Sequence, residues 1–288
     1  MKILVLGSNG MAGHLITLYL CERGHSVTTF SRHLSPFGNS IIGDAFNIQN
    51  LRRVLLSDNF DAVVNCIGIL TGKADERPQD AVFINSYLPH YITSVLSDRV
   101  TKFIQLSTDC VFSGANAPYD EISIPDGTTF YDRTKALGEI NDCKNLTFRN
   151  SIIGPDWNKN GIGLFNWFMN QSNCISGYTG AIWTGVTTLY LAKAIECAIL
   201  QDLCGIYHLV NNSSISKFDL LRLFNQQFKD NSIVIKENFT FKLDKTLICT
   251  RNDFDFYIPS YEEMVVDMKL WVSEHKKLYP NYSLISSD

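Results

Sequence analysis

The chain has 288 residues, 45% of them hydrophobic and 19% charged, enough to bury a large core in one domain or two. Its 25 basic and 29 acidic residues leave a formal charge of −4 with the basic ones scattered, which speaks against a nucleic-acid partner. The opening MKILVLGSNGMAGHLITLYL breaks its apolar run at glycine, far short of the about 20 residues a membrane span needs, so no membrane partner and a cytoplasmic location are expected.

Apolar β-type runs alternate with helical patterns through the first half. Strands are expected at 2–7, 26–31, 61–69, 102–107 and 146–150, with helices at 11–24, 47–57 and 80–96 between them. Such alternation predicts an α/β fold with a parallel sheet covered by helices. Beyond residue 150 the pattern loosens: helices at 161–171, 187–200 and 216–228, strands at 205–210 and 232–237, and a last helix within 260–279. The parts divide at 155/156, but no Pro/Gly/Ser linker separates them, so the second lobe is expected to be partly interwoven with the sheet. An active site between the two is the natural expectation.

Eight cysteines show no C-x-x-C spacing and mostly lie in apolar or periodic segments, so most are read as reduced core residues. No histidine grouping has a metal-ligand spacing, and no metal is expected.

The first strand runs into Gly7-Ser8-Asn9-Gly10-Met11-Ala12-Gly13 and then a helix. Glycine permits the tight turn, lets backbone N–H groups approach a pyrophosphate and allows close helix–sheet packing, while the helix N-terminus supplies positive potential. Gly7, Asn9, Gly10, Met11 and Gly13 are therefore candidate dinucleotide contacts in a Rossmann-type doubly wound sheet, although G-x-x-G-x-x-G is one residue longer than the G-x-G-x-x-G fingerprint. Where an acid would bind the ribose 2′-hydroxyl stand Ser31 and Arg32. A guanidinium there pairs with a 2′-phosphate, which favours NADPH and leaves NADH as the second choice. Asp44 is a candidate acceptor for the adenine amino group, with an exposed turn acid as the alternative.

Tyr131 and Lys135 lie four apart and share one face of a helix. An ammonium near a phenol, together with an oxidised nicotinamide, is expected to favour the phenolate and lower the tyrosine pKa from about 10. Ser107-Thr108-Asp109-Cys110 ends the strand at 102–107, where the hydroxyls either serve chemistry or merely cap the chain.

On GSNGMAG (7–13), NCIGI (65–69), INS (84–86), STDCVF (107–112), YDRTK with LGE behind it (131–139) and RNSIIG (149–154), the chain resembles an extended short-chain dehydrogenase/reductase. Within that family it is similar to the dTDP-4-dehydrorhamnose reductases, and TGVTTLYLAKAI (184–195) extends the match more loosely. The resemblance implies an NADP-binding, catalytic domain at 1–155 and a substrate-binding lobe at 156–288. It implies that Thr108 hydrogen-bonds the substrate carbonyl, Tyr131 donates the proton, and Lys135 binds the nicotinamide ribose and tunes the tyrosine. Asn65 and Gly68 would lie against the cofactor, and Asn85 would support the site from its helix.

The implied reaction is reduction of the 4-keto group of a nucleotide-linked 6-deoxysugar. Related sugar dehydratases follow the hydroxyl with Asp-Glu; here Cys110 follows Asp109, so the second acid is missing. Reductases resembling this chain commonly carry tyrosine at that place, so Cys110 is a departure. In GDP-fucose synthases a cysteine nearby acts as a base with a histidine partner, and no histidine stands between His90 and His208 to play that part. Asp109, Cys110, Asn166, Trp183, Thr184 and Arg251 are candidate substrate contacts. An epimerase or epimerase/reductase, and an idle NADP-binding regulatory subunit, are the competing readings. Relatives of this kind can form dimers, so a homodimer stays open.

Overall fold

Strand β1 (Lys2–Leu6) is apolar from Ile3 onward and fully buried there, as a strand covered on both faces must be. The computed structural model describes residues 1–282. From β1 the chain continues through α1 (Met11–Glu22), β2 (Ser26–Ser31), β3 (Asn39–Ile42), α2 (Ile48–Leu55) and β4 (Ala62–Asn65). Then come α3 (Thr71–Glu76), α4 (Pro78–Ala81), a π turn over Val82–Tyr87, α5 (Leu88–Val95), β5 (Lys102–Leu106), α6 (Phe130–Leu137) and β6 (Leu146–Arg149).

The second half holds β7 (Ser151–Ile153), α7 (Leu164–Met169), β8 (Cys174–Trp183), β9 (Gly185–Thr187), α8 (Thr188–Leu200), β10 (Gly205–His208), β11 (Ile215–Ser216), α9 (Lys217–Phe228), β12 (Val234–Asp244) and α10 (Tyr261–Glu274). Seven strands form one sheet in the order β10-β6-β5-β4-β1-β2-β3, with every pairing parallel. This is a Rossmann-type doubly wound sheet whose order reverses between β1 and β4, so a crevice opens beyond the carboxyl ends of those strands.

Strand β10 lies downstream of residue 156 yet pairs with β6, and α8 packs on α1, so the second half is woven into the first. A separate three-stranded sheet, β11-β8-β12, and the β7-β9 pair make up the rest. Four second-half strands that periodicity did not mark, β7, β8, β9 and β11, appear here, and β12 runs seven residues past the expected end at 237. The strand expected at 61–69 stops at Asn65, because the Asn65 side-chain oxygen accepts from the Ile67 N–H at 3.1 Å and turns the chain. All eight cysteines are free, but they are half-buried or, at Cys143 and Cys174, exposed, rather than core residues. Among the described residues no helix is long and apolar enough to cross a membrane.

Candidate active site

The glycine loop leaves β1 at Gly7, whose φ of +79° is left-handed backbone. At Gly13 a Cβ would stand 2.2 Å from the Gly7 carbonyl, so only glycine lets α1 start this close to the strand. At Gly10, by contrast, a Cβ would meet only that carbonyl, at 3.6 Å. Protein packing therefore does not demand the middle glycine, and the open space beside it suits the close approach of a ligand. Ser8 Oγ and Asn9 Oδ1 are buried here with no hydrogen-bond partner among the described residues. Of the two, the Ser8 hydroxyl, a donor at a helix N-terminus, fits a diphosphate, whereas the Asn9 oxygen can only accept and suits a ligand hydroxyl.

The adenosine side is built by the end of β2. Asn9 Nδ2 donates to the His33 carbonyl at 2.9 Å, and Ser31 Oγ donates to the same carbonyl at 2.6 Å. Arg32 beside them is exposed and forms no ion pair among the described residues, leaving its guanidinium available. Asp44 is exposed, and one of its oxygens accepts from the Phe46 N–H at 3.0 Å in a local turn.

Behind β4 the loop 66–69 is pinned from both sides. Asn65 Nδ2 donates to Gln105 Oε1 at 2.8 Å, and Asn85, in the π turn, both accepts from the Ile69 N–H (2.8 Å) and donates to the Ile69 carbonyl (2.9 Å). Asn85 also donates to Thr134 Oγ1 on α6 at 3.2 Å. Asn65 and Asn85 are thus fully occupied in shaping the loop that carries Gly68 and tying it to the helix of Tyr131.

Helix α6 begins with a capping box: Thr129 Oγ1 accepts from the Asp132 N–H, and the Asp132 carboxylate accepts from the Thr129 N–H. That start places Tyr131 and Lys135 on the buried face, opposite the end of β5. Thr108 caps the short turn Asp109–Val111, its Oγ1 accepting from the Cys110 N–H and donating to Asp109 Oδ1, both at 3.1 Å. The Thr108 hydroxyl lies close enough to the Tyr131 phenol to oppose the rise in its pKa, although no hydrogen bond joins the two, so Thr108 caps its turn beside the tyrosine.

The electrostatics depart from the sequence expectation. The Tyr131 pKa is raised, not lowered: burial dominates, the Cys110 thiol and the Asp109 and Asp132 carboxylates add to it, and the Thr108 hydroxyl opposes them. Lys135 donates to the Leu106 carbonyl at 2.6 Å, and burial lowers its pKa to about 8 against the attraction of Glu139. Cys110 is pushed up to about 12, first by burial and then by Asp109, with Lys245 opposing.

The structure gives four of the candidate substrate residues internal work. Buried Asn166 donates to the Asn158, Lys159 and Gly161 carbonyls and accepts from the Tyr282 hydroxyl. Thr184 Oγ1 accepts from the Leu247 N–H at 3.0 Å, and Trp183 is core packed on Tyr261. Arg251 forks onto Asp253 and donates to the Cys204 and Ile206 carbonyls, so it has no free face for a phosphate. Asp109 and Cys110 stay beside the Thr108 and Tyr131 hydroxyls, Asp109 as the acceptor that orients Thr108.

Sequence reasoning missed a second-half clamp on the glycine loop. Trp157 stacks on His14 at 5.0 Å and on Phe37 at 6.0 Å, and its Nε1 donates to the Asn9 carbonyl at 3.0 Å. His14 Nδ1 donates to the Gly10 carbonyl at 3.1 Å, which leaves Nε2 to accept from the Tyr279 hydroxyl at 3.0 Å. No spacing signal connects residues 14, 157 and 279; only the fold brings them together.

A model of the RmlD substrate binding domain family matches residues 1–154. A probable low-salt glycan biosynthesis reductase of Haloferax volcanii is 30% identical over 143 residues, 48% of this chain and 48% of that protein, so the chain aligns with about half the length of that relative. The dTDP-4-dehydrorhamnose reductase of Escherichia coli K12 is 26% identical over 251 residues, covering 83% of this chain and 82% of the relative. The crystal structure of the dTDP-4-dehydrorhamnose reductase of Bacillus anthracis in complex with NADP superposes with a TM-score of 0.78 at 20% identity, covering 94% of this chain and 99% of that one. With its glycine loop, its Ser-Thr-Asp turn and its Tyr-Lys helix all inside the matched span, the chain belongs to the RmlD substrate binding domain family.

Proposed function

We propose that this protein is an NADPH-dependent reductase of the 4-keto group of a nucleotide-linked 6-deoxysugar. The observation that carries the reading is that Thr108, at the end of β5, and buried Tyr131 on α6 stand side by side beyond the carboxyl ends of the parallel strands, as does the glycine loop after β1. The reductase activities named for the Haloferax and Escherichia relatives support it. Gly7, Asn9, Gly10, Met11 and Gly13 would hold the diphosphate, Ser31 and Arg32 the 2′-phosphate, and Gly68 and Lys135 the nicotinamide half. When bound, the reduced nicotinamide supplies the hydride.

The chain's own part is to hold a ketone and deliver a proton. Thr108, by turning its one proton from Asp109 to the substrate, would hydrogen-bond the carbonyl oxygen, and Tyr131, whose raised pKa keeps it protonated at neutral pH, gives its proton to the oxygen as negative charge develops there. Charged Lys135 offsets the phenolate left behind. Cys110 argues against epimerisation: a thiol pushed up to about 12 is a poor base. No imidazole stands ready to assist it, since His208 is bound to the Ile248 carbonyl behind the site.

The same reading puts the enzyme in the cytoplasm, where NADPH is available, and allows a homodimer, which sedimentation of the purified chain decides. The test of function is a panel of nucleotide 4-keto-6-deoxysugars with NADPH and NADH. Keto-sugar-dependent oxidation of NADPH, faster than of NADH, is the expected result. Tight cofactor binding without turnover of any keto-sugar would point instead to a regulatory subunit.

A further inference from the structure

The second half of the chain sends one lysine to the start of the helix that carries Tyr131, and its ammonium finds no acceptor there. Lys245 Nζ stands 3.9 Å from Asp132 Oδ2, too far for a hydrogen bond, and the side chain makes none elsewhere among the described residues. It is only 12% exposed, and the Asp132 side chain only 6%. Holding an ammonium mostly out of water with its donors unspent is costly until a partner arrives.

The backbone fixes this placement from both sides. The Thr246 N–H donates to Asp244 Oδ1 (2.9 Å) and the Leu247 N–H to Thr184 Oγ1 (3.0 Å). The Thr246 carbonyl accepts from the Tyr119 N–H, and the Ile248 N–H donates to the Tyr119 carbonyl, both at 2.8 Å. Residues 246–248 thus lie alongside the chain that leaves the Thr108 turn, and Leu247 is buried with Val111, Phe112 and Tyr119. Asp132 is held as well, its Oδ2 accepting from the Thr129 N–H at 3.2 Å. At Gly127 a Cβ would stand 2.5 Å from Asp132 Cβ and 2.8 Å from the Cys110 carbonyl, so the carboxylate side chain packs against the turn that holds Thr108 and Cys110.

The space between the two charges has the size and the chemistry of one hydroxyl. An oxygen about 2.8 Å from both the ammonium nitrogen and the carboxylate oxygen fits the 3.9 Å separation. A hydroxyl there accepts from Lys245 and donates to Asp132, whereas an anion would be repelled by the carboxylate and a cation by the ammonium. We propose that Lys245 and Asp132 bind one hydroxyl of the substrate sugar close to the ketone, which makes Lys245 a specificity-determining residue. The proposal rests on the reductase reading for the nature of the ligand, a nucleotide-linked sugar, but its test does not need turnover.

The experiment is calorimetric titration of the full chain saturated with NADP⁺. The probes are UDP- and dTDP-linked 6-deoxyhexoses, their 2-deoxy and 3-deoxy counterparts, and free UDP and dTDP. Native protein is compared with Lys245→Met and with Lys245→Arg, which keeps the charge but displaces it. In Lys245→Met the fully hydroxylated sugars should bind about 10- to 100-fold more weakly, the scale of one hydrogen bond from a charged group. The free diphosphates should bind as they do to native protein, and one deoxy sugar, already weak on native protein, should lose nothing further. Lys245→Arg should show the same pattern with a smaller loss, and an NADP⁺ affinity equal to native shows that each variant is folded. Equal losses for the free diphosphates overturn the proposal, as do equal losses for every deoxy sugar, unchanged binding of all sugars, or no sugar binding to the native chain. If binding follows the expected pattern while no keto-sugar is reduced, the reductase reading fails and the hydroxyl site stands. If NADPH is consumed but Lys245→Met keeps the native KM for every sugar, the hydroxyl site fails and the reductase reading stands.

Discussion

The Trp157 indole donates to the Asn9 carbonyl at 3.0 Å, so a residue beyond β7 holds the glycine loop that begins the chain. Because the same ring lies between His14 and Phe37, it touches both the start of α1 and the loop that carries Arg32. Binding of NADPH should therefore change the intrinsic fluorescence of the protein. Trp157→Phe, which keeps the stacking and loses one hydrogen bond, should lose most of that signal. It should also weaken NADPH binding about 3- to 10-fold, as the loss of roughly 1 kcal/mol implies; fluorescence and calorimetric titration measure the two effects.

Tyr131→Phe removes the proposed proton donor but leaves the buried ring in place. Keto-sugar turnover should fall at least about 100-fold, the usual scale for loss of a general acid. The dissociation constant for NADPH should change little. Steady-state rates beside a binding titration check both, and unchanged turnover would remove the tyrosine from the mechanism.

Thr108 has two duties that a pair of variants separates. Thr108→Ser keeps the acceptor for the Cys110 N–H and the donor to Asp109, and should stay within a few-fold of native turnover. Thr108→Val loses both, and should cost about 100-fold or more in kcat if the hydroxyl also binds the reacting oxygen. A thermal melt shows how much of the valine effect is lost capping, for which about 1 kcal/mol is expected.

Cys110→Ala should retain reduction within a few-fold, because the thiol is held protonated and hydride reduction does not require it. Products formed in deuterium oxide should carry no solvent deuterium on the carbons beside the former ketone. Incorporation that disappears in Cys110→Ala would establish an epimerase step.

His14 and His208 are buried, and desolvation lowers both from 6.5 to about 4. A depressed folded-state pKa means that the unfolded chain binds more protons between those values. Their stabilisation is thus fully present above about pH 6.5 and is lost as pH falls through 4. Each should remove roughly 2 kcal/mol of stability between pH 7 and pH 5, by the same linkage. Urea midpoints measured across that range should fall, and His208→Gln should make the fall shallower.

The parallel sheet was legible because its strands are short apolar runs separated by helical patterns, and local periodicity survives whatever the tertiary context. Strand β8 was not, because two glycines interrupt the apolar pattern of Cys174–Trp183 and it lies beside aromatic helical segments. The candidate catalytic residues were legible for a similar reason. Tyr131 and Lys135 share one helix, and Ser107 to Cys110 form one turn, so short-range spacing records them.

The sequence by itself determined the glycine turn, the Tyr-Lys helix face and five of the first six strands, all of which depend on contacts between near neighbours in the chain. Only the tertiary structure decided that Asn166, Thr184 and Arg251 hold backbone rather than present themselves to a ligand. It alone decided that Trp157 and Tyr279 clamp the amino-terminal loop and that burial raises the Tyr131 pKa. Most of these hydrogen-bond partners lie from 47 to 265 residues apart, and they and the loss of water around a group are properties of the packed molecule that no local pattern of residue types encodes.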